Sequence, residues 1–142
     1  MFVCPPVESP ALIQVLSEDG AAWRVVEAPE GACLYRVDDQ EEARLMKQWE
    51  GKRPADLLAL PEGVVAVGDR WLVHLNLDGQ RWIGGGLARP AERVCEQEGE
   101  LRVEAGGQSW RVVDSHLVGP LPEVCSPDPA QVPGYTDVRG TR

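Results

Sequence analysis

Asp114-Ser115-His116 puts the three side-chain types of a hydrolytic triad next to one another. In a strand, neighbouring side chains point to opposite faces, so Ser115 faces away from Asp114 and His116, and the three cannot form the triad's hydrogen-bonded chain. No Gly-x-Ser-x-Gly elbow surrounds Ser115. The other histidine, His74, stands inside Trp71-Leu72-Val73-His74-Leu75, where a packed, hydrogen-bonded role is the expectation. Cys4, Cys33, Cys95 and Cys125 are far apart in the chain, and no Cys-x-x-Cys pair is present to start a zinc site or a redox loop. Free thiols are expected, with two long-range disulfides left open by the even count.

The remaining candidates for chemistry are weaker. Gly84-Gly85-Gly86 follows a strand-like run, as a phosphate loop does, but Leu87-Ala88-Arg89-Pro90 comes next where Gly-Lys-Ser/Thr is needed. A bulge or strand end is expected there. Glu96, Glu98, Glu100 and Glu104 read as the solvated face of strands and a turn, not as a carboxylate pair. No catalytic, metal or cofactor motif is legible, and the expectation is a protein that is not an enzyme and carries no cofactor.

What remains is charge and tryptophan. The 142 residues hold 23 acidic against 14 basic side chains, a net charge of −9. No segment gathers the positive charge that neutralising phosphates requires, which argues against direct nucleic-acid binding. An acidic surface attracts basic ones and speeds their encounter. Five tryptophans are many beside two tyrosines and one phenylalanine. Most are expected in the core, but tryptophan is enriched among interface hot spots. The candidate partner-binding residues are therefore Trp49, Trp71, Glu41, Glu42 and Tyr135.

These side chains are to be positioned by short strands. Ala11–Leu16 and Trp23–Glu27 flank Ser17-Glu18-Asp19-Gly20; Arg70–Asn76 and Arg81–Ile83 flank Asp78-Gly79; Leu101–Ala105 and Ser109–Asp114 flank Gly106-Gly107. Asp-Gly and Gly-Gly between β-branched and aromatic runs signal hairpins, because such turns need the positive φ that glycine adopts freely. Cys33–Val37 reads as another strand, and residues 63–118 as a near-continuous meander. Trp23, Trp82 and Trp110 each follow a hairpin turn. Trp23-Arg24-Val25-Val26 and Trp110-Arg111-Val112-Val113 look alike, though a string this short does not establish a duplication.

The period changes over residues 39–50. Asp38 with Glu41, or Asp39 with Glu42, resembles a capping box; Leu45, Met46 and Trp49 form an apolar stripe; Gly51 suits a helix end. One packed helix is expected, and a further short helical turn between Pro54 and Pro61. Prolines 120, 122, 127, 129 and 133 mark residues 120–142 as an extended tail, and residues 1–10 look like a shorter arm of the same kind.

The expected architecture is α+β and strand-dominated: a small antiparallel β barrel or sandwich of about eight to nine short strands with one packed helix and a Pro-rich C-terminal tail. Residues 1–119 form one globular domain on this reading. No run approaches the roughly 18 apolar residues of a membrane span, and Met1-Phe2-Val3-Cys4-Pro5-Pro6 lacks a signal-peptide pattern, so a cytoplasmic or virion-associated protein is expected. The leading functional expectation is a non-enzymatic acidic module that engages a basic surface of another protein, such as a polymerase or nuclease, and inhibits or redirects it. The alternative is a structural protein of a viral particle or other ordered array, with oligomer contacts made by the tail.

Overall fold

The structure, a computed structural model, describes residues 2–61, 63–77, 81–85, 90–97, 99–113 and 116–122, with 81–85 described by backbone alone. Twelve strands run in order: β1 Ala11–Leu16, β2 Ala22–Ala28, β3 Gly31–Val37, β4 Ala43–Glu50, β5 Asp56–Leu60, β6 Gly63–Gly68, β7 Trp71–Asn76, β8 Arg81–Gly85, β9 Arg93–Gln97, β10 Glu100–Ala105, β11 Gln108–Val113 and β12 His116–Leu121. They form three four-stranded sheets, β1 to β4, β5 to β8 and β9 to β12, each an antiparallel meander of consecutive strands.

The sheets stack face to face. One apolar cluster joins the first and second sheets through Val15, Trp23, Val25, Leu34, Trp49, Leu57, Val64, Ala66 and Leu75. Another joins the second and third through Val65, Val67, Leu72, Val94 and Val103, with Trp110, Val112 and Leu117 packed against it. Strand β6 explains the order: Val64 and Ala66 face one junction, Val65 and Val67 the other, and all four are fully buried. Each of the three valines contributes about 1.5–3 kcal/mol for leaving water, and the alanine less. β1 and β5 touch, as do β5 and β9, so the first strands of successive sheets lie together, and the last strands of the second and third sheets, β8 and β12, also touch. The buried Asp56 of β5 accepts the Val94 backbone N–H of β9 at 3.0 Å, fastening two inner strands.

Several expectations are corrected. The sheets do not close into a barrel, and the meander read at 63–118 is split between the second and third sheets. Among the described residues there is no helix. Residues 39–50 instead make a hairpin loop and β4, because the capping-box acids serve the loop. Asp38 Oδ1 accepts the N–H groups of Gln40 and Glu42 at 2.9 and 2.8 Å. The helix-like stripe has its own cause. The β3/β4 register skips between Lys47 and Leu45, leaving Met46 as a bulge residue, so Met46 and Trp49 both reach the first junction across what looks like a helical spacing. The turn expected between Pro54 and Pro61 is β5, whose Leu57 enters the core. Trp23, Trp82 and Trp110 occupy the second, fourth and third strands of their sheets, so the look-alike strings do not hold equivalent positions. The expected start of the tail at residue 120 falls inside β12, and residues 123–142 lie outside the described residues.

The expectation of free thiols also fails. Residues 2–10 lie along the outer face of the first sheet, where Cys4 bonds to Cys33 with Cα atoms 6.1 Å apart. The Tyr35 hydroxyl donates to the Pro5 carbonyl at 2.7 Å, Gln48 Nε2 to the Phe2 carbonyl at 2.7 Å, and Arg24 to the Val7 and Ser9 carbonyls at 3.2 and 2.8 Å. The arm places Cys4 on Cys33 because residues of three successive strands, Arg24, Tyr35 and Gln48, bond the backbone oxygens that a β ladder would otherwise take. Cys95 is also disulfide-bonded, and Cys125 lies outside the described residues.

Two measurements check this packing. A Cβ on Gly31 would strike the Trp49 carbonyl oxygen, whereas one on Gly51 meets nothing but must accept a φ of +72°. Gly31→Ala should therefore cost up to about 3 kcal/mol in urea unfolding through forced backbone movement, and Gly51→Ala about 1–2 kcal/mol through left-handed strain alone. Equal costs would contradict the close approach of β3 to β4. Burial, followed by the Glu8 carboxylate, raises the Tyr35 pKa above its ordinary value of 10.0. A raised folded-state pKa gives stability that is complete below the unfolded value and is lost as pH rises through the folded one. With Tyr135→Phe leaving Tyr35 as the sole tyrosine, the phenolate absorbance should titrate above the free-tyrosine midpoint and return to it on unfolding. An ordinary midpoint in the folded chain would remove the arm contact.

Candidate functional site

Hairpin connections alternate between the two ends of a meander, so the β1–β2 and β3–β4 loops share one end of the first sheet. They lie side by side: a Cβ on Gly20 would be 3.6 Å from that of Asp39. Each loop is closed by one acid. Asp19 accepts hydrogen bonds from the Ser17 hydroxyl and, at 3.0 Å, from the Ala21 N–H, and it pairs with Arg36 at 2.9 Å. The Ser17 bond, then the Ala21 bond, hold its carboxyl below the usual aspartate range, with Arg36 adding to the effect. Asp38 closes the second loop as described, and Glu41 there takes a left-handed φ of 64°.

With Asp19 and Asp38 spent on the loops, Glu18, Asp39, Glu41 and Glu42 are exposed, and the two loops contain no lysine or arginine. The opposite end of the sheets is balanced, with Glu30, Lys52, Arg53, Asp69 and Arg70. It is also knitted together: Arg53 pairs with Glu27 at 2.8 Å and reaches the Ala28 carbonyl at 3.1 Å, while the Ala55 N–H donates to Val67 and the Ala91 N–H to Gly68. The negative charge of the first sheet's loops is thus segregated to one end, where fields of like sign add.

The two tryptophans singled out from the sequence do meet. Trp49 closes β4 and Trp71 opens β7, with ring centroids 5.5 Å apart and planes tilted by 31°. The Trp71 ring lies flat against Gly68, where any Cβ would collide with it. Lys47 Nζ stands 5.7 Å from the Trp49 ring and Lys52 Nζ 5.9 Å from that of Trp71. Together with Gln48 and Glu50 they line a cleft of about 300 Å³ that opens where the first two sheets splay apart. Trp49 is 3% exposed and belongs to the core cluster, so its indole packs rather than projects. Trp71 is half-buried, and its Nε1 is buried with no hydrogen-bond partner among the described residues.

The structure therefore divides the predicted residues. Glu41 and Glu42 stand at the acidic end, Trp49 and Trp71 near the other, and Tyr135 lies outside the described residues. Sequence reasoning missed Glu18 and Asp39 at the acidic end and Lys47 and Lys52 over the tryptophans. Assigning 39–50 to a strand would have found the former, because only a β3–β4 hairpin brings residues 38–42 beside residues 17–21. His74 lies mid-strand in β7 and His116 opens β12, while Asp114 and Ser115 lie outside the described residues. Among the described residues, no group of three or more His, Cys, Asp or Glu side chains converges as a metal site. Among the described residues there is no helix long and apolar enough to cross a membrane.

No family model matches the sequence, and no curated protein matches it. Among solved structures the chain is similar to the crystal structure of a protein provisionally described as a gluconolactonase, at a TM-score of 0.54 and 16% identity. The match covers 75% of this chain and 46% of that one, so the chain spans less than half the length of its structural neighbour. The likeness is one of fold.

Proposed function

We propose that this chain is a non-catalytic binding module whose acidic hairpin end engages a basic surface of a partner protein. The observation that carries the reading is the segregation of charge, with Glu18, Asp39, Glu41 and Glu42 exposed on two adjoining loops that hold no base. Two features support it further. The carboxylates of Asp19 and Asp38 brace the loops, so the remaining acids are presented on ordered backbone and binding loses less entropy. The net charge of −9 gives the whole molecule a field that steers basic partners toward it. A partner that itself handles nucleic acid presents such a basic surface, and covering that surface would inhibit it. Lactone hydrolysis, which the neighbour's name brings to mind, rests on that name alone, because folds host unrelated activities and only the fold carries over at such identity.

The probe for the test is an oligolysine peptide, with affinity followed by fluorescence anisotropy. Neutralising the exposed acids by Glu18→Gln, Asp39→Asn, Glu41→Gln and Glu42→Gln should weaken binding roughly tenfold to a hundredfold, at about 0.2–1 kcal/mol per exposed pair. Glu27→Gln and Glu30→Gln at the opposite end should change it little. Wild-type affinity should also fall as salt is raised, since exposed pairs are screened within about 8 Å at physiological ionic strength. Equal binding by both sets of variants would sink the reading. A second check concerns the tryptophan pair: Trp71→Phe should abolish the near-ultraviolet circular-dichroism coupling of two indoles 5.5 Å apart while leaving peptide affinity intact. Loss of peptide binding in Trp71→Phe would move the site to the cleft.

A further inference from the structure

Lys47 and Lys52 are the only lysines in the sequence, and the rest of its 14 basic side chains are arginines. Both lysines stand at one place, beside the tryptophan pair where the first sheet meets the second. Lys47 pairs with Leu34 across β3 and β4, and Leu34 belongs to the cluster between those sheets, so Lys47 and Trp49 enter the junction from the same face of β4. Gln48 turns the other way and gives its amide to the arm at Phe2. From the facing strand come Val73 and Trp71, both packed on that same cluster. Between the two strands lies the cleft of about 300 Å³, and Glu50 is the one acid among the described residues that line it.

We infer that this cleft is a binding site for a small planar carboxylate, an aromatic or heteroaromatic acid, with its ring against the indoles and its charge on the lysine ammonium groups. The choice of lysine is the first argument. An arginine in either place lays its flat guanidinium on the indole and covers it, whereas lysine carries a compact charge on a flexible stem. Here the ammonium groups stay 5.7 and 5.9 Å from the ring centres, at the outer limit of about 6 Å for a cation–π attraction, so neither ring is capped by the cation beside it. Lys52 is exposed and forms no ion pair among the described residues, which leaves its charge available to an anion.

Size and charge narrow the ligand. Ligand pockets run from about 300 to 1,000 Å³, and a cleft at the small end of that range holds one or two fused rings and no polymer segment. An aromatic ring meets indole offset or edge-on, the arrangements that their quadrupoles favour, so a flat acid gains from both halves of the site and an aliphatic one from the lysines alone. A molecule with a net charge of −9 repels anions elsewhere, and the two lysines offset that field locally. The site is separate from the acidic hairpin end and does not depend on what that end binds.

The test is a titration of the full, isotope-labelled chain with naphthoate, followed through the indole N–H resonances. The Trp71 resonance, assigned by its loss in Trp71→Phe, should shift with a dissociation constant on the order of 1 mM or below, while those of Trp23 and Trp110 stay in place. Naphthamide, flat but neutral, and acetate, charged but without a ring, should shift it little at the same concentrations. Lys52→Gln should weaken naphthoate binding roughly twofold to fivefold. Lys52→Arg keeps the charge and should weaken binding as well, by covering Trp71, which mere attraction of opposite charges does not predict. Lys52 is exposed, so both variants should unfold at the wild-type temperature. The variant neutralised at Glu18, Asp39, Glu41 and Glu42 should bind naphthoate at least as well as wild type, so this site and the acidic end stand or fall separately. No shift of Trp71 at tenfold the expected constant, an equal shift with naphthamide, or full affinity in both Lys52 variants would overturn the inference.

Discussion

Burial of the middle sheet on both of its faces is the interaction on which the rest of the molecule depends. Antiparallel sheets ordinarily keep one wet face and show alternating polarity. Strand β6 reads Val64-Val65-Ala66-Val67 without a polar residue, and every side chain in that run is fully buried. Since successive side chains in a strand point oppositely, such a run requires an apolar surface on each side. The first and third sheets supply those surfaces, so one strand's composition sets the number and order of the layers.

The consequences divide inner from outer strands. The first strands of the sheets crowd together, and there even a polar group is enlisted, with Asp56 bridging to the Val94 backbone. Outward, the sheets diverge, and the gap between the first two is filled by large side chains, the Trp49 and Trp71 pair seated on Gly68. The ammonium groups of Lys47 and Lys52 stand 5.7 and 5.9 Å from the centres of those rings, within reach of a cation–π attraction.

The two ends of the sheets serve different purposes. At one, backbone hydrogen bonds and the Arg53 to Glu27 pair tie connections from successive sheets together. At the other, the hairpins of the first sheet close upon themselves through Asp19 and Asp38. Loops that are self-supporting can concentrate charge without disturbing the packing behind them, and this is where the uncompensated carboxylates have collected.

The sequence by itself determined what is local. The hairpins around Ser17 to Gly20 and Gly106-Gly107 follow from turn glycines and β-branched neighbours, and the strand at Cys33–Val37 from its apolar run. The excess of acid was countable from composition, and Glu41 and Glu42 were named from it as candidate partner-binding residues. Only the tertiary structure decided three things. It made β4 a strand, because a bulge at Met46 imitates helical spacing and β3 needed a partner along its free edge. It divided one apparent meander into two sheets, because hydrogen bonding within a sheet and packing between sheets look alike to a pattern of alternating residues. It joined Cys4 to Cys33, because a contact between an arm and the third strand depends on which face the arm crosses, and distance along the chain carries no information about faces.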